Sequence, residues 1–186
     1  MNRAQNVKLV MSDNSICIVP KLSGYPNNKT KSNEILNWLL SRDIVKPNVS
    51  DCVLGSENGY AISEGAKIVS VFPGDLPYRL ITNGLEITIG RAIFAGPPDE
   101  IICPACKENI VEDEWNVSDW AEYRSDNMLC PKCKQESEIS TYIFAPEWGF
   151  SDLGFTFWNW SEFTAEFIQE FKNKLGCEIT IVYCHL

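Results

Sequence analysis

Four cysteines are the residues best suited to chemistry in this chain. They stand as two matched hooks, Cys103-Pro-Ala-Cys106 and Cys130-Pro-Lys-Cys133, with 23 residues between Cys106 and Cys130. Two Cys-x-x-Cys pairs are the donor set of a tetrahedral thiolate ion, and two facing hooks make a zinc ribbon. The proline in each hook fixes φ and removes a backbone donor, so the remaining amides can turn toward the sulfurs and support thiolate charge. Zn2+ is the expected ion. Iron is its competitor, because rubredoxin-like sites use the same hooks, although glycine is common there where this chain has Lys107 and Lys134. Two disulfides, a redox dithiol or four free buried thiols are the other readings of the same residues. Four thiolates leave no open position for water, so the expected role of the ion is structural. Trp115, Trp120 and Tyr123, between the hooks, are expected to cover the site.

The elements that must position these thiols come from a chain of 186 residues, 45% apolar and 22% charged. That is long enough for one domain, or for one domain carrying a small insert. No apolar run reaches the ~18 residues of a membrane helix, and the first residues lack the apolar stretch of a signal peptide. A cytoplasmic location is expected, and there reduced cysteines favour metal over disulfide. The formal charge is −9. Residues 1–98 hold 10 basic and 8 acidic side chains, 99–140 hold 4 and 11, and 141–186 hold 2 and 6. The most acidic stretch surrounds the hooks, which argues against a phosphate backbone as ligand and for a partner with a basic surface.

The β-like runs Val7–Met11 and Ile16–Pro20 flank a turn, Ser12-Asp13-Asn14-Ser15, and are expected to form a hairpin. Lys21–Lys31 reads as a loop. Ser32–Ile44 reads as a helix, capped by Thr30 or Ser32 and blocked by Pro47. Lys67–Phe72 is an expected strand. Tyr78–Thr82 and Leu85–Ile89 are expected to pair through a type I′ turn at Asn83-Gly84. Thr141–Phe144 and Leu153–Trp158 are further strands. Ser161–Leu175 is a helix capped by Ser161, with the apolar stripe Phe163, Phe167, Phe171 and Leu175 and with Gly176 as its stop. Glu178–Tyr183 closes the chain as a strand. Two helices near opposite ends with many strands between them predict an α+β fold. Its sheet is mainly antiparallel, formed by residues 1–98 and 141–186, and a four-cysteine zinc ribbon is inserted at 99–140.

Other candidate residues have plainer readings. Cys17, Cys52, Cys177 and Cys184 lie singly in or beside apolar runs and read as small buried hydrophobes. His185, the only histidine, has no visible partner, and Glu112-Asp113-Glu114 reads as a solvated loop. Eleven of the 21 aromatic residues lie between Tyr142 and Phe171. Strand alternation would send Phe155 and Phe157 one way and Trp158 and Trp160 the other. A sheet covered on both faces accounts for this. The functional alternative is a pocket or partner surface lined by Trp148, Trp158 or Trp160.

Ile18-Val19-Pro20-Lys21, Asp51-Cys52-Val53-Leu54-Gly55, Ile81-Thr82-Asn83-Gly84-Leu85-Glu86, the two hooks and Gly154–Trp160 together resemble an uncharacterised bacterial zinc-ribbon-containing family. Members of that family sometimes carry the label "sugar ABC transporter ATPase". Such an ATPase needs a Gly-x-x-x-x-Gly-Lys-Ser/Thr loop, and Gly149-Phe150-Ser151-Asp152-Leu153-Gly154 continues with Phe155 instead of lysine. The sequence is therefore read as a non-enzymatic zinc-ribbon protein that binds a basic protein partner. One concrete form is an immunity protein or antitoxin directed at a basic nuclease. A nucleic-acid-associated ribbon and an enzyme using the aromatic cluster are the alternatives.

Overall fold

Runs of β-branched and aromatic residues favour pleated backbone, and here they pair into one large antiparallel sheet. The computed structural model describes residues 13–185. In chain order its elements are β1 (Asn14–Pro20), α1 (Asn28–Ser41), β2 (Val45–Ser50), β3 (Gly59–Ile62), β4 (Gly84–Phe94), β5 (Glu100–Ile102), α2 (Ser118–Ala121), β6 (Asn127–Leu129), β7 (Glu136–Glu138), β8 (Ile143–Ala145), β9 (Gly149–Trp158), α3 (Ala165–Leu175) and β10 (Ile179–His185). The six-stranded sheet has the order β10-β1-β9-β4-β3-β2, and β5-β8 and β6-β7 form two small ladders. All the strand pairs are antiparallel. The α+β architecture expected from the sequence is the one observed, with α2 as a short third helix.

The main core lies between one sheet face and the helices α1 and α3. Ile18, Leu85, Phe155 and Phe157 from the strands meet Ile35, Leu39, Phe167 and Phe171 from the helices. Trp38 of α1 stacks on Phe167 with ring centroids 5.5 Å apart and meets Phe171 edge-on. A second core forms around the hooks from Ile101, Ile110, Trp120, Met128, Ile139, Tyr142, Phe144 and Phe150. Because Phe150 belongs to β9, the cysteine segment is built directly onto the sheet.

Tertiary hydrogen bonds overrode local pattern at several places. The Asn83-Gly84 hairpin does not form: both N–H groups donate to the Cys52 carbonyl, at 2.9 and 2.8 Å, and β4 pairs with β3 and β9 instead. Glycine is needed at 84 for close approach, since a Cβ there would lie 2.2 Å from Cys52 Sγ. Lys67–Phe72 is not a strand. A 3-10 turn covers Glu64–Ile68, and Ser70 makes a single bridge to Phe163. The first helix starts four residues earlier than expected, after Asn27 at φ 53, and neither Thr30 nor Ser32 caps it. Asn28 at its start is held by Asp152, with Nδ2 2.9 Å from Oδ2. It stops at Ser41, where Asp43 turns left-handed at φ 54, and Pro47 lies instead in β2. A 3-10 turn at Ile139–Thr141 delays β8 to Ile143. Of the hairpin expected at the start of the chain, Val7–Met11 lies outside the described residues, and Asn14 and Ser15 belong to β1 rather than to a turn.

Helix α3 starts at Ala165, four residues later than expected, and carries Phe167, Phe171 and Leu175 of the expected stripe, whereas Phe163 lies before the helix, bridged to Ser70; all four are buried. Gly176 ends it at φ 72. Its cap, however, is Thr164, whose Oγ1 accepts the Phe167 N–H at 3.3 Å. The Ser161 hydroxyl donates elsewhere, to the Phe72 carbonyl at 3.2 Å. Thr164→Ala removes this acceptor and is expected to lower stability by about 1 kcal/mol. Urea unfolding should show an earlier midpoint at unchanged slope, whereas Ser161→Ala should leave α3 capped.

Candidate metal centre

Each hook closes on itself by the same local bonds. In the first, Cys103 N–H donates to Glu108 O and Lys107 N–H to Cys103 O, both at 3.0 Å. In the second, Cys130 N–H donates to Gln135 O and Lys134 N–H to Cys130 O, again both at 3.0 Å. Lys107 and Lys134 take left-handed backbone, φ 64 and φ 61, to complete these turns. Amides then face sulfur: Ala105 N lies 3.4 Å from Cys103 Sγ and Cys133 N lies 3.5 Å from Cys130 Sγ. The ladder β5–β8 leads into the first hook, and β6–β7 runs on both sides of the second.

The two hooks face each other. The four sulfurs lie within 4.8 Å of one another, with Cys103 to Cys133 at 3.9 Å and Cys106 to Cys130 at 3.8 Å. Four sulfurs at ~2.3 Å from a tetrahedral ion stand about 3.8 Å apart. The donor set and its spacing therefore fit a bound metal ion. Cys103 and Cys130 are buried, Cys106 is half-buried and Cys133 is exposed, so the cage is sealed by the second core on one side and faces solvent on the other.

The electrostatics of the cage call for a cation. Burial pushes the Cys103 thiol up, but the amides of Cys106 and Ala105 and the neighbouring thiols outweigh it and bring it down to about 6. At Cys106 the Glu108 amide acts downward, yet burial and the three other thiols together push it up to about 11. One sulfur ionises readily while its neighbour resists, as like charges in one small space must. Burial and the charges at Cys103 and Cys130 also push the Tyr142 hydroxyl up, and it donates to the Met128 carbonyl at 3.0 Å.

Among the residues expected to cover the site, Trp120 is 1% exposed, Trp115 is half-buried, and Tyr123 remains 63% exposed. Trp120 meets Phe150 edge-on at 5.4 Å, and its indole N–H donates to Ser23 Oγ at 3.2 Å. Sequence reasoning missed the residue that fastens this corner, Arg91 of β4. Its guanidinium lies 5.0 Å from the Trp120 ring and 4.7 Å from the Tyr123 ring, and donates to the Trp120 carbonyl and to Asp126 Oδ1. The Arg91 backbone N–H donates to the Tyr123 hydroxyl at 2.7 Å. Arg91→Ala is expected to cost about 2 kcal/mol through its charge-assisted bonds alone. Amide exchange should quicken across 118–126, and Arg91→Lys should restore little because the planar fork is lost.

The expected binding tryptophans do not converge. Trp160 is buried in the main core against Phe157 and Phe163, and its indole donates to the Asn83 carbonyl. Trp158 is buried on the other face with Cys52 and Val53, and its indole donates to Glu86. The expected alternation fails here because β9 ends at Trp158 and Asn159 turns left-handed at φ 60, which swings Trp160 back to the face of Phe157. Trp148 stacks on Phe144 at 4.7 Å and lines a groove of about 370 Å³ with Tyr142, Glu147 and Thr180.

No family model matches the chain, and neither a curated protein nor a solved structure does. Among the described residues no helix is long and apolar enough to cross a membrane. Among the described residues Glu112-Asp113-Glu114 forms no cluster with other metal-binding side chains, and Asp113 lies 3.6 Å from Lys132 Nζ. His185 Nδ1 lies 2.6 Å from Asn14 Oδ1. Cys17, Cys52 and Cys184 are buried and Cys177 is half-buried.

Proposed function

We propose that this is a cytoplasmic, non-enzymatic zinc-ribbon protein that acts by binding a protein partner with a basic surface. The observation that carries the reading is the facing pair of hooks, with every donor supplied by the chain. Zinc suits four thiolates, brings no redox chemistry, and with four protein ligands keeps no position for a substrate. The ion then serves to fix a surface. Of the eleven acidic residues in 99–140 all but Asp113 are exposed. Arg91, Arg124 and Lys132 neutralise part of this charge through Asp126, Asp119, Glu122, Glu108 and Asp113. Asp99, Glu100, Glu112, Glu114, Glu136 and Glu138 make no ion pair among the described residues. Such a surface repels phosphate backbones and steers basic proteins toward it. A nuclease toxin is one partner of that chemistry.

Affinity capture from the native cell, with the protein carrying its ion, tests the reading. A specific partner with a basic face, released by salt and lost when Glu136 and Glu138 become lysine, is the expected outcome. Salt-sensitive binding of RNA or DNA would replace this reading with the nucleic-acid one. Elemental analysis identifies the ion, and a visible thiolate-to-iron absorption would replace zinc with iron.

A further inference from the structure

The two edges of the six-stranded sheet are treated differently. At one edge β2 carries Lys46 and Pro47, and its pairing with β3 shifts register between Val45 and Val49. Charge, proline and a register break are the devices that stop an edge from recruiting another strand. The other edge, β10, has none of them. Its sequence is Ile-Thr-Ile-Val-Tyr-Cys-His, without proline, lysine or any formally charged residue. All seven residues pair with β1 in unbroken register.

The orientation of the backbone groups follows from one bond. Lys21 N–H donates to the Glu178 carbonyl at 2.8 Å, so Glu178 faces β1. Antiparallel alternation then turns the N–H and C=O groups of Thr180, Val182 and Cys184 toward β1, and those of Ile179, Ile181, Tyr183 and His185 toward the free edge. Pro20, which has no N–H, stands opposite Ile179, where no bond is exchanged. Among the described residues nothing pairs with these outward groups. Tyr183 is 49% exposed, and His185 is exposed beside it.

We propose that β10 is a dimerisation edge that pairs antiparallel with β10 of a second copy of this chain. A two-fold axis at Val182 matches all the outward groups. Ile181 faces Tyr183 of the second copy, Ile179 faces its His185, and Thr180 faces its Cys184. The contact is self-complementary, as a two-fold interface must be. It places a β-branched residue against an aromatic one twice, a favourable cross-strand pair, and sets no like charges opposite each other. A neutral, apolar strand offers nothing to select a basic protein, so the second copy fits this edge better than the partner proposed above. The two sheets would join into one continuous sheet. The inference rests on neither the ion nor that partner.

Sedimentation equilibrium of the full, metal-loaded chain tests it between about 1 µM and about 1 mM, the range in which modest interfaces dissociate. The mass should rise with concentration from 21.0 kDa toward twice that value. Added salt should tighten the dimer by screening two acidic copies. Tyr183→Pro deletes an outward N–H and leaves the bonds to β1 intact. Tyr183→Lys puts charge on the edge and covers the case in which the proline variant misfolds. Each should weaken association at least tenfold while circular dichroism stays unchanged. Amide exchange at Ile179, Ile181, Tyr183 and His185 should slow as concentration rises. A chain that stays monomeric throughout, a dimer indifferent to Tyr183→Lys, or protection that maps to other residues would each overturn the proposal.

Discussion

Stripping the ion from reduced protein unfolds the cysteine segment while the six-stranded sheet stays paired. The ladders around the hooks are two pairs of three-residue strands, too short to stand alone in water. An ion held by the four thiols would tie them together beyond what the second core supplies, since structural zinc sites provide on the order of 10–16 kcal/mol of apparent folding free energy. Amide exchange after chelation should therefore accelerate by orders of magnitude over the two small ladders and far less in β1, β4 and β9. Fluorescence of Trp115 and Trp120 should move toward that of solvated indole. Cys103→Ser or Cys130→Ser, at the buried donors, should abolish stoichiometric ion binding, and Cys133→Ser at the exposed one should weaken it. Acidification acts in the same direction as chelation. Protons compete with the ion for thiolates, so loading is complete at neutral pH and is lost as the pH falls. Persistent protection of β5–β8 and β6–β7 in metal-free, reduced protein would refute the structural role of the ion.

Phe171→Ala lowers global stability by about 3–5 kcal/mol, a large share of the ~5–15 kcal/mol typical of a whole domain. The Phe171 ring is fully buried and meets Trp38, Phe155, Phe157 and Phe167. Truncation thus opens a cavity whose walls are rings on both helices and the sheet, and rings held from several sides cannot collapse into the space. Phe171→Leu, which keeps most of the volume, should cost clearly less. Urea titration at constant slope checks both values. The ion should remain bound in Phe171→Ala, because the second core does not include this residue.

The sequence makes the four-thiol cluster legible because everything that shapes a hook lies within six residues of its first cysteine. The stripe of α3 is legible for the same reason: Phe167, Phe171 and Leu175 repeat at helical spacing and Gly176 stops the helix beside them, although the same spacing falsely draws in Phe163, which lies ahead of the Thr164 cap. What stays hidden depends on distant partners. Asn83-Gly84 has the composition of a hairpin turn, yet the Cys52 carbonyl takes both of its donors. Ser161 looks like a cap, but its hydroxyl is spent on Phe72, far away in the chain. Trp158 and Trp160 break alternation because a single asparagine adopts left-handed backbone, which asparagine tolerates but does not announce. Arg91 is the clearest case. Its partners Trp120, Tyr123 and Asp126 lie about thirty residues away, and no local pattern marks a guanidinium set between two rings.

The way the chain leaves and re-enters the sheet has a consequence for how such a protein can be remodelled. Phe94 at the end of β4 stands directly opposite Gly149 at the start of β9. The whole excursion between them, cage included, departs and returns at one rung of the ladder. A tight two-residue link could bridge that rung without disturbing any pairing register. The scaffold could thus host an excursion of a different length or chemistry, and the main price would be the apolar patch around Phe150 that the present one shelters.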